Sequence, residues 1–253
     1  MSKIERDPYI HVGAEKLRRL GVKALLFDLD DTLIDTDYMF MKHMTAFADD
    51  VAHGLGLDPY DVFKRLREIN NEEYGIKPQK WLVVLDRLGK ELGNPELVMS
   101  GYFHIEKIYF EEPHLLPGVG QILSGLREEG FLLGEVTHGE TDWSIRKNEQ
   151  TGLINYMDAI VTASVNGPKS KEHWLQGMEM LSVSPDECVI TGDSIKGDII
   201  PAIELGARAV SIPSPWSVYR QGEIPQGAVT IDRIADFWDA VADLCDVNPS
   251  SSW

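Results

Sequence analysis

The sequence predicts an α/β protein, a doubly wound parallel sheet carrying an inserted all-α module, and three observations support that prediction. Val22, Ala24, Leu25, Leu26 and Phe27 form an unalternated apolar run that breaks directly into acid at Asp28, Asp30 and Asp31. A strand buried on both faces of a parallel sheet has that texture. From Pro117 onward, strand-like and helix-like segments alternate, as a parallel sheet with crossover helices requires. Between about 36 and 113 the apolar residues keep helical spacing and no strand-like run occurs. A chain of 253 residues can bury one large core and one smaller module.

Each element has its own signal. AEKLRRL predicts a short helix from Gly13 to Leu20, with Leu17 and Leu20 inward, leading into the first strand. Met39, Phe40, Met44, Phe47, Val51 and Leu55 mark a helix over 38–55. Asp58 followed by Pro59 is an N-cap and first-position pair for a second, with Val62, Phe63, Leu66 and Ile69 as its stripe. A third helix is expected after Lys77-Pro78, carrying Trp81, Leu82, Val84, Leu85 and Leu88 and closed by Gly93. Asn94-Pro95 repeats the cap for a fourth that runs to about Phe110. Beyond Pro117-Gly118 the expected order is helix 119–129, strand 131–136, helix 142–150, strand 158–163, helix 170–181 and strand 187–191. It continues with helix 199–205, strand 207–212, strand 228–231 and helix 234–244, with 213–227 as surface loop and a frayed tail from Asn248.

With 43% hydrophobic and 26% charged residues the composition is that of a soluble globular chain, and a formal charge of -17 argues against nucleic acid or an anionic membrane as a partner. Cys188 and Cys245 lack metal-ligand spacing and are expected in the core. The charged start MSKIERDPYI is no signal peptide and no apolar run reaches membrane-spanning length, so the expected location is cytoplasmic.

Four strand ends carry chemistry that suits phosphoryl transfer through a covalent intermediate. Asp28 can attack phosphorus, splitting one hard hydrolysis into two displacements. Asp30 can protonate the leaving oxygen and later take a proton from water. Asp31 is expected on the surface or in a turn, and Thr32 as a turn hydroxyl held by local hydrogen bonds. In VTHG, the Thr137 hydroxyl and the backbone N–H groups of His138 and Gly139 can bind phosphate oxygens, although a threonine there is ordinarily just a strand former. Lys169 and Lys171 both precede a helix in GPKSKEHW, and either can neutralise phosphoryl oxygens. GDSIKGD supplies Asp193 and Asp198. Hard oxygen donors suit Mg²⁺, with Asp28 and Asp193 as the expected pair and the backbone carbonyl of Asp30 as third ligand. Asp198 would hold a metal-bound water, orient Lys169, or simply cap a helix.

FDLDDTL, VTHG, a lysine before a helix and GDSIKGD, in that order, resemble the haloacid dehalogenase superfamily of phosphohydrolases. The resemblance covers about 20–35 and 114–245; the first and last motifs are specific and the middle two loose. It implies a Rossmann-like core with Asp28 as nucleophile, Asp30 as acid/base, Thr137 and Lys169 on the phosphate, and Asp193 and Asp198 at a Mg²⁺ site. Only the gap between the first two motifs is long, which implies a helical cap domain over 36–113 inserted into a discontinuous core of 1–35 and 114–253. His138 stands where the family often has asparagine, and Pro168 precedes Lys169 where a proline usually follows the lysine.

The expected function is a Mg²⁺-dependent phosphomonoester hydrolase acting on a small phosphorylated metabolite, as a monomer or homodimer. A phosphomutase using the same nucleophile is the alternative, and a non-catalytic phosphate-binding protein the third. An aspartate two residues after the nucleophile is absent from the family's dehalogenases, so Asp30 argues against that activity. His43, Tyr74, Trp81, Tyr102 and His104 are candidate pocket residues whose ordinary role is packing. The methionines at 39, 41 and 44 are likewise expected in helix packing.

Overall fold

A computed structural model of the protein describes residues 8–73, 79–163, 169–216 and 220–244. The helix starts at Lys77-Pro78, the candidate Tyr74, Pro168, Cys245 and the tail from Asn248 lie outside the described residues. Among those residues no helix is long and apolar enough to cross a membrane.

The strands β1 (Ala24–Phe27), β2 (Leu132–His138), β3 (Ala159–Ala163), β4 (Cys188–Gly192), β5 (Arg208–Ser211) and β6 (Ala228–Thr230) form one sheet in the order β3-β2-β1-β4-β5-β6. Every pairing is parallel, as continuous apolar runs require. Successive residues of β1 feed opposite cores because side chains alternate across a strand. Leu25 and Phe27 pack with Leu17, Leu123, Leu126, Val189 and Phe237, whereas Ala24 and Leu26 pack with Val136, Trp174, Met178 and Ile190. The first core is roofed by α1 (Pro8–Arg19), with α7 (Val119–Glu128) and α11 (Phe237–Leu244); the second by α9 (Lys171–Leu181) and α10 (Ile200–Leu205). The remaining sheet-side helix is α8 (Thr141–Thr151). Cys188 is fully buried in the second core, and burial pushes its thiol up to about 12.

The stretch expected to be all-helical contains α2 (Thr36–Leu55), α3 (Pro59–Glu72), α4 (Lys80–Glu91), α5 (Pro95–Ser100) and α6 (Tyr102–Glu106). Its caps follow the sequence signals: Asp58 accepts from the Tyr60 N–H and Asn94 from the Leu97 N–H. These helices bury a core of their own around Met44, Phe47, Val51, Leu66, Trp81, Leu85 and Ile108. Trp216, from the segment after β5, is part of that core, and Trp143 of α8 packs against it. Met39 and Met44 are buried, in keeping with helix packing.

Several boundaries differ from expectation for identifiable reasons. The fourth helix does not run to Phe110 but breaks at Gly101, where a Cβ would come within 2.9 Å of the Phe47 ring. α1 already includes Pro8, the first described residue, so Gly13 lies inside it, at a close crossing where a Cβ would stand 2.4 Å from the Trp238 ring. β2 runs on through Thr137 and His138, whose register with Thr162 and Ala163 keeps the strand paired two residues further than apolarity indicates. α10 is preceded by a π-helical turn, Ile195–Ile199, and α11 by a 3-10 turn, Ile234–Asp236.

In this order β1 is flanked by β2 and β4, so successive connections leave it in opposite directions. The crevice at the carboxyl ends of such strands is where an open α/β sheet offers a ligand site. All four acidic or polar motifs open onto those ends.

Candidate active site

Asp28 follows β1 directly and remains in the ladder, its N–H donating to Thr191 O at 2.9 Å. From β4 the chain passes through Gly192 to Asp193 and then folds back so that Asp198 lies against Gly192. A Cβ at 192 would stand 2.2 Å from Asp198 Oδ2, so only glycine admits this return. Asp198 is fully buried, and its Oδ2 accepts from the Ser194 N–H at 2.9 Å. It does not cap the turn; Ser194 does, accepting from the Gly197 N–H at 3.1 Å. The result brings carboxylate oxygens of Asp28, Asp193 and Asp198 within 4.8 Å of one another.

Lys169 joins this cluster. Its ammonium donates to Asp28 and to Val136 O at 3.0 Å, and pairs with Asp198 Oδ1 at 2.7 Å. Lys171 does not: it is exposed, with Glu204 at 4.0 Å. Burial works against the charge on Lys169, but Asp198 and Asp28 together hold its pKa above the ordinary lysine value. Burial pushes the Asp28 carboxyl up to about 6 against the pull of Lys169. Asp193 is raised well above the aspartate range by burial and then by Asp28 and Asp198. Three buried carboxylates sharing one buried ammonium leave the site short of positive charge. Asp193 Oδ2 is moreover buried without a hydrogen-bond partner. Hard oxygen donors, a charge deficit and an orphaned carboxylate oxygen together fit a small divalent cation such as Mg²⁺.

The Asp30 carboxylate is not one of the three carboxylates in that cluster. Both its oxygens accept from Lys147 Nζ, at 2.6 and 2.8 Å, and Oδ1 also accepts from Thr36 Oγ1 at 2.5 Å. Asp31, expected to be exposed if not in a turn, is instead buried at a left-handed turn position (φ 56°). Its oxygens accept from the Asp37 N–H at 2.7 Å and from Trp216 Nε1 at 2.9 Å, and burial pushes it up to about 7. The Thr32 hydroxyl is buried without a partner, contrary to the local bond expected of it, because its N–H alone engages the turn, at Leu29 O.

Thr137 is fully buried next to Asp28's strand, and its Oγ1 has no protein partner. His138, half-buried, is the last residue of β2. The Gly139 N–H donates to Ala163 O at 3.3 Å, because the ladder with β3 continues that far, so this amide is already engaged while the Thr137 hydroxyl is not. Glycine is needed at 139, where a Cβ would come within 2.8 Å of Ser144 Oγ.

Lys147, Thr36 and Trp216 touch the acidic turn yet went unnoticed in the sequence. A signal existed for Lys147. The only large apolar residues of α8 are Trp143 and Ile145, and the residues it buries are Ser144, Lys147 and Asn148, a polar stripe turned toward the sheet. Asn148 Nδ2 donates to Glu135 Oε1 at 2.8 Å on β2, and burial pushes Glu135 up to about 8. The candidate pocket residues mostly have structural partners: Trp81 donates to Tyr109 Oη at 3.0 Å, His43 pairs with Glu111 at 2.5 Å, and His104 lies 3.4 Å from Asp50. Tyr102 is half-buried against the helical core.

Several known proteins resemble this chain over most of its length. The family model described as hydrolase, haloacid dehalogenase-like hydrolase, matches residues 22–206. The glyceraldehyde 3-phosphate phosphatase of Pyrococcus furiosus is 27% identical over 202 residues, which cover 78% of this chain and 81% of the relative. That of Methanopyrus kandleri is 28% identical over 234 residues, covering 88% and 98%. The crystal structure of a haloacid dehalogenase-like family hydrolase from Xanthomonas campestris superposes with a TM-score of 0.67 at 16% identity, covering 88% of this chain and 92% of that one.

Proposed function

The chain belongs to the haloacid dehalogenase-like hydrolases, and from that membership and the geometry above we propose that it is a Mg²⁺-dependent phosphomonoesterase of small phosphorylated metabolites, with Asp28 as nucleophile. The observation that carries the proposal is the buried Asp28 carboxylate held by Lys169, with Asp193 and Asp198 close enough to share one cation.

The roles follow from the groups. Lys169 and the unpartnered Thr137 hydroxyl receive phosphoryl oxygens. An Asp28 oxygen attacks phosphorus as the ester P–O bond breaks, and the departing oxygen takes a proton from Asp30, giving an alcohol and an aspartyl-phosphate. Water then attacks the phosphorus, yields its proton to Asp30, and releases inorganic phosphate with Asp28 regenerated. Asp28, Asp193 and the Asp30 carbonyl would hold Mg²⁺, which when bound would offset the charge that carboxylate and phosphate bring together. Asp198, pairing with Lys169 and hydrogen-bonded to the Ser194 amide, orients the lysine. The helices over 36–113 act as a cap whose residues select the leaving group, a role supported by their separate core and their contact with Trp143 and Trp216.

The names of the archaeal relatives make glyceraldehyde 3-phosphate the first compound to try. Purified protein with Mg²⁺ should release phosphate from a panel of aryl, triose, sugar and nucleoside phosphates, and EDTA should stop it. No release from any of them, with folded protein, would sink the proposal.

A further inference from the structure

Among the described residues, Lys147 is the one buried cation near the site that the mechanism above leaves idle. It is 2% exposed, midway along α8, and its ammonium bridges both oxygens of Asp30 at 2.6 and 2.8 Å. The same ammonium lies 4.2 Å from the centroid of the Trp143 ring, and that ring packs at 4.9 Å on Tyr109 of the helical module. Desolvating a lysine costs several kcal/mol unless a charge or aromatic face compensates, so its conformation is confined to the one place where both are present. A single carboxylate–hydroxyl bond from Thr36 leaves Asp30 free to swing about its side-chain axis. A two-point contact from a wedged ammonium does not.

We propose that Lys147 is a positioning residue: clamped over Trp143, it holds the Asp30 carboxylate in the orientation from which it exchanges a proton with the leaving oxygen. Because Trp143 also touches Tyr109, seating of the helical module braces the clamp. The proposal rests on the role of Asp30 given above and adds a residue outside the Asp28, Asp193 and Asp198 cluster.

The test compares Lys147→Met, Lys147→Arg, Asp30→Asn and the double variant Asp30→Asn/Lys147→Met on two substrates with Mg²⁺ present. One is an alkyl phosphate, whose leaving alkoxide needs a proton; the other is p-nitrophenyl phosphate, whose phenolate needs none. Lys147→Met should lower kcat/KM, which reports only the steps through departure of the leaving oxygen, by about 10²-fold on the alkyl ester, within the range a positioned acid contributes, with a much smaller loss of kcat/KM on the aryl ester. Lys147→Arg should recover part of the loss. In the Asp30→Asn background the methionine should add little, since residues acting as a unit are not additive. Equal losses of kcat/KM on both esters, or full additivity with Asp30→Asn, would overturn the positioning role. If Asp30→Asn itself costs nothing on the alkyl ester, the acid/base assignment fails instead. Should Lys147→Met not fold by circular dichroism, Lys147→Gln serves the same comparison.

Discussion

At the scale of single residues, the site shows carboxylates forced into company that elementary electrostatics disfavours, and stability traded for reactivity. Asp28→Asn should abolish turnover, a loss of at least about 10³-fold if covalent catalysis is removed, while thermal unfolding shows the fold kept or slightly strengthened by relief of repulsion with Asp193 and Asp198. Gly192→Ala should fail differently: the new methyl collides with the Asp198 carboxylate, so both stability and Lys169 placement suffer, at a cost of roughly 1–3 kcal/mol by denaturant titration. Glu135 offers a prediction in pH. Burial raises its folded pKa to about 8, well above the unfolded glutamate value, so the unfolded chain sheds that proton first and binds fewer protons through this window. Its contribution is therefore intact at low pH and is lost as pH rises from the ordinary carboxylate range to about 8. Glu135→Gln should flatten that limb, raising Tm at alkaline pH by ~2–4 °C for each kcal/mol regained, with little change at pH near 4.

At the scale of elements, local signals and packing divide the work. Caps written in the sequence at Asp58-Pro59 and Asn94-Pro95 do begin helices, because they satisfy amide groups within their own turn. How closely elements pack depends on neighbours distant in sequence: at Gly101 the lack of a side chain lets the chain lie against the Phe47 ring. The same logic at Gly89 yields a prediction. A Cβ there would stand 2.6 Å from Pro95 Cα, a backbone atom that cannot rotate away, so Gly89→Ala should push α4 from α5 and cost about 1–3 kcal/mol. Urea unfolding would read it, and an unchanged midpoint would contradict this packing. The polar inward face of α8 shows why Lys147 was missed: a helix whose buried stripe is Ser144, Lys147 and Asn148 looks exposed to any rule that equates burial with apolarity.

At the scale of the whole molecule, the carboxyl ends of β1, β2 and β4 meet where connections leave the central strand in opposite directions, and this gathers groups more than 160 residues apart into one crevice. The charge deficit there leads to a prediction for the proposed cation. Mg²⁺ at about 100 times its Kd should raise the unfolding free energy by roughly 2.7 kcal/mol, seen as a higher Tm, and Asp193→Asn should remove most of that gain. Fold class, the helical block, its caps and the succession of acidic strand ends were legible in the linear chain, because apolar periodicity and capping are short-range properties that a chain carries wherever it folds. The choice of Lys169 over Lys171, the burial of Asp31 against Trp216, the return of Asp198 onto Gly192 and the seizure of Asp30 by Lys147 were decided only by tertiary structure. Which of two nearby lysines meets an acid, and whether an aspartate faces water or a tryptophan, depends on distances across the sheet that no local pattern encodes.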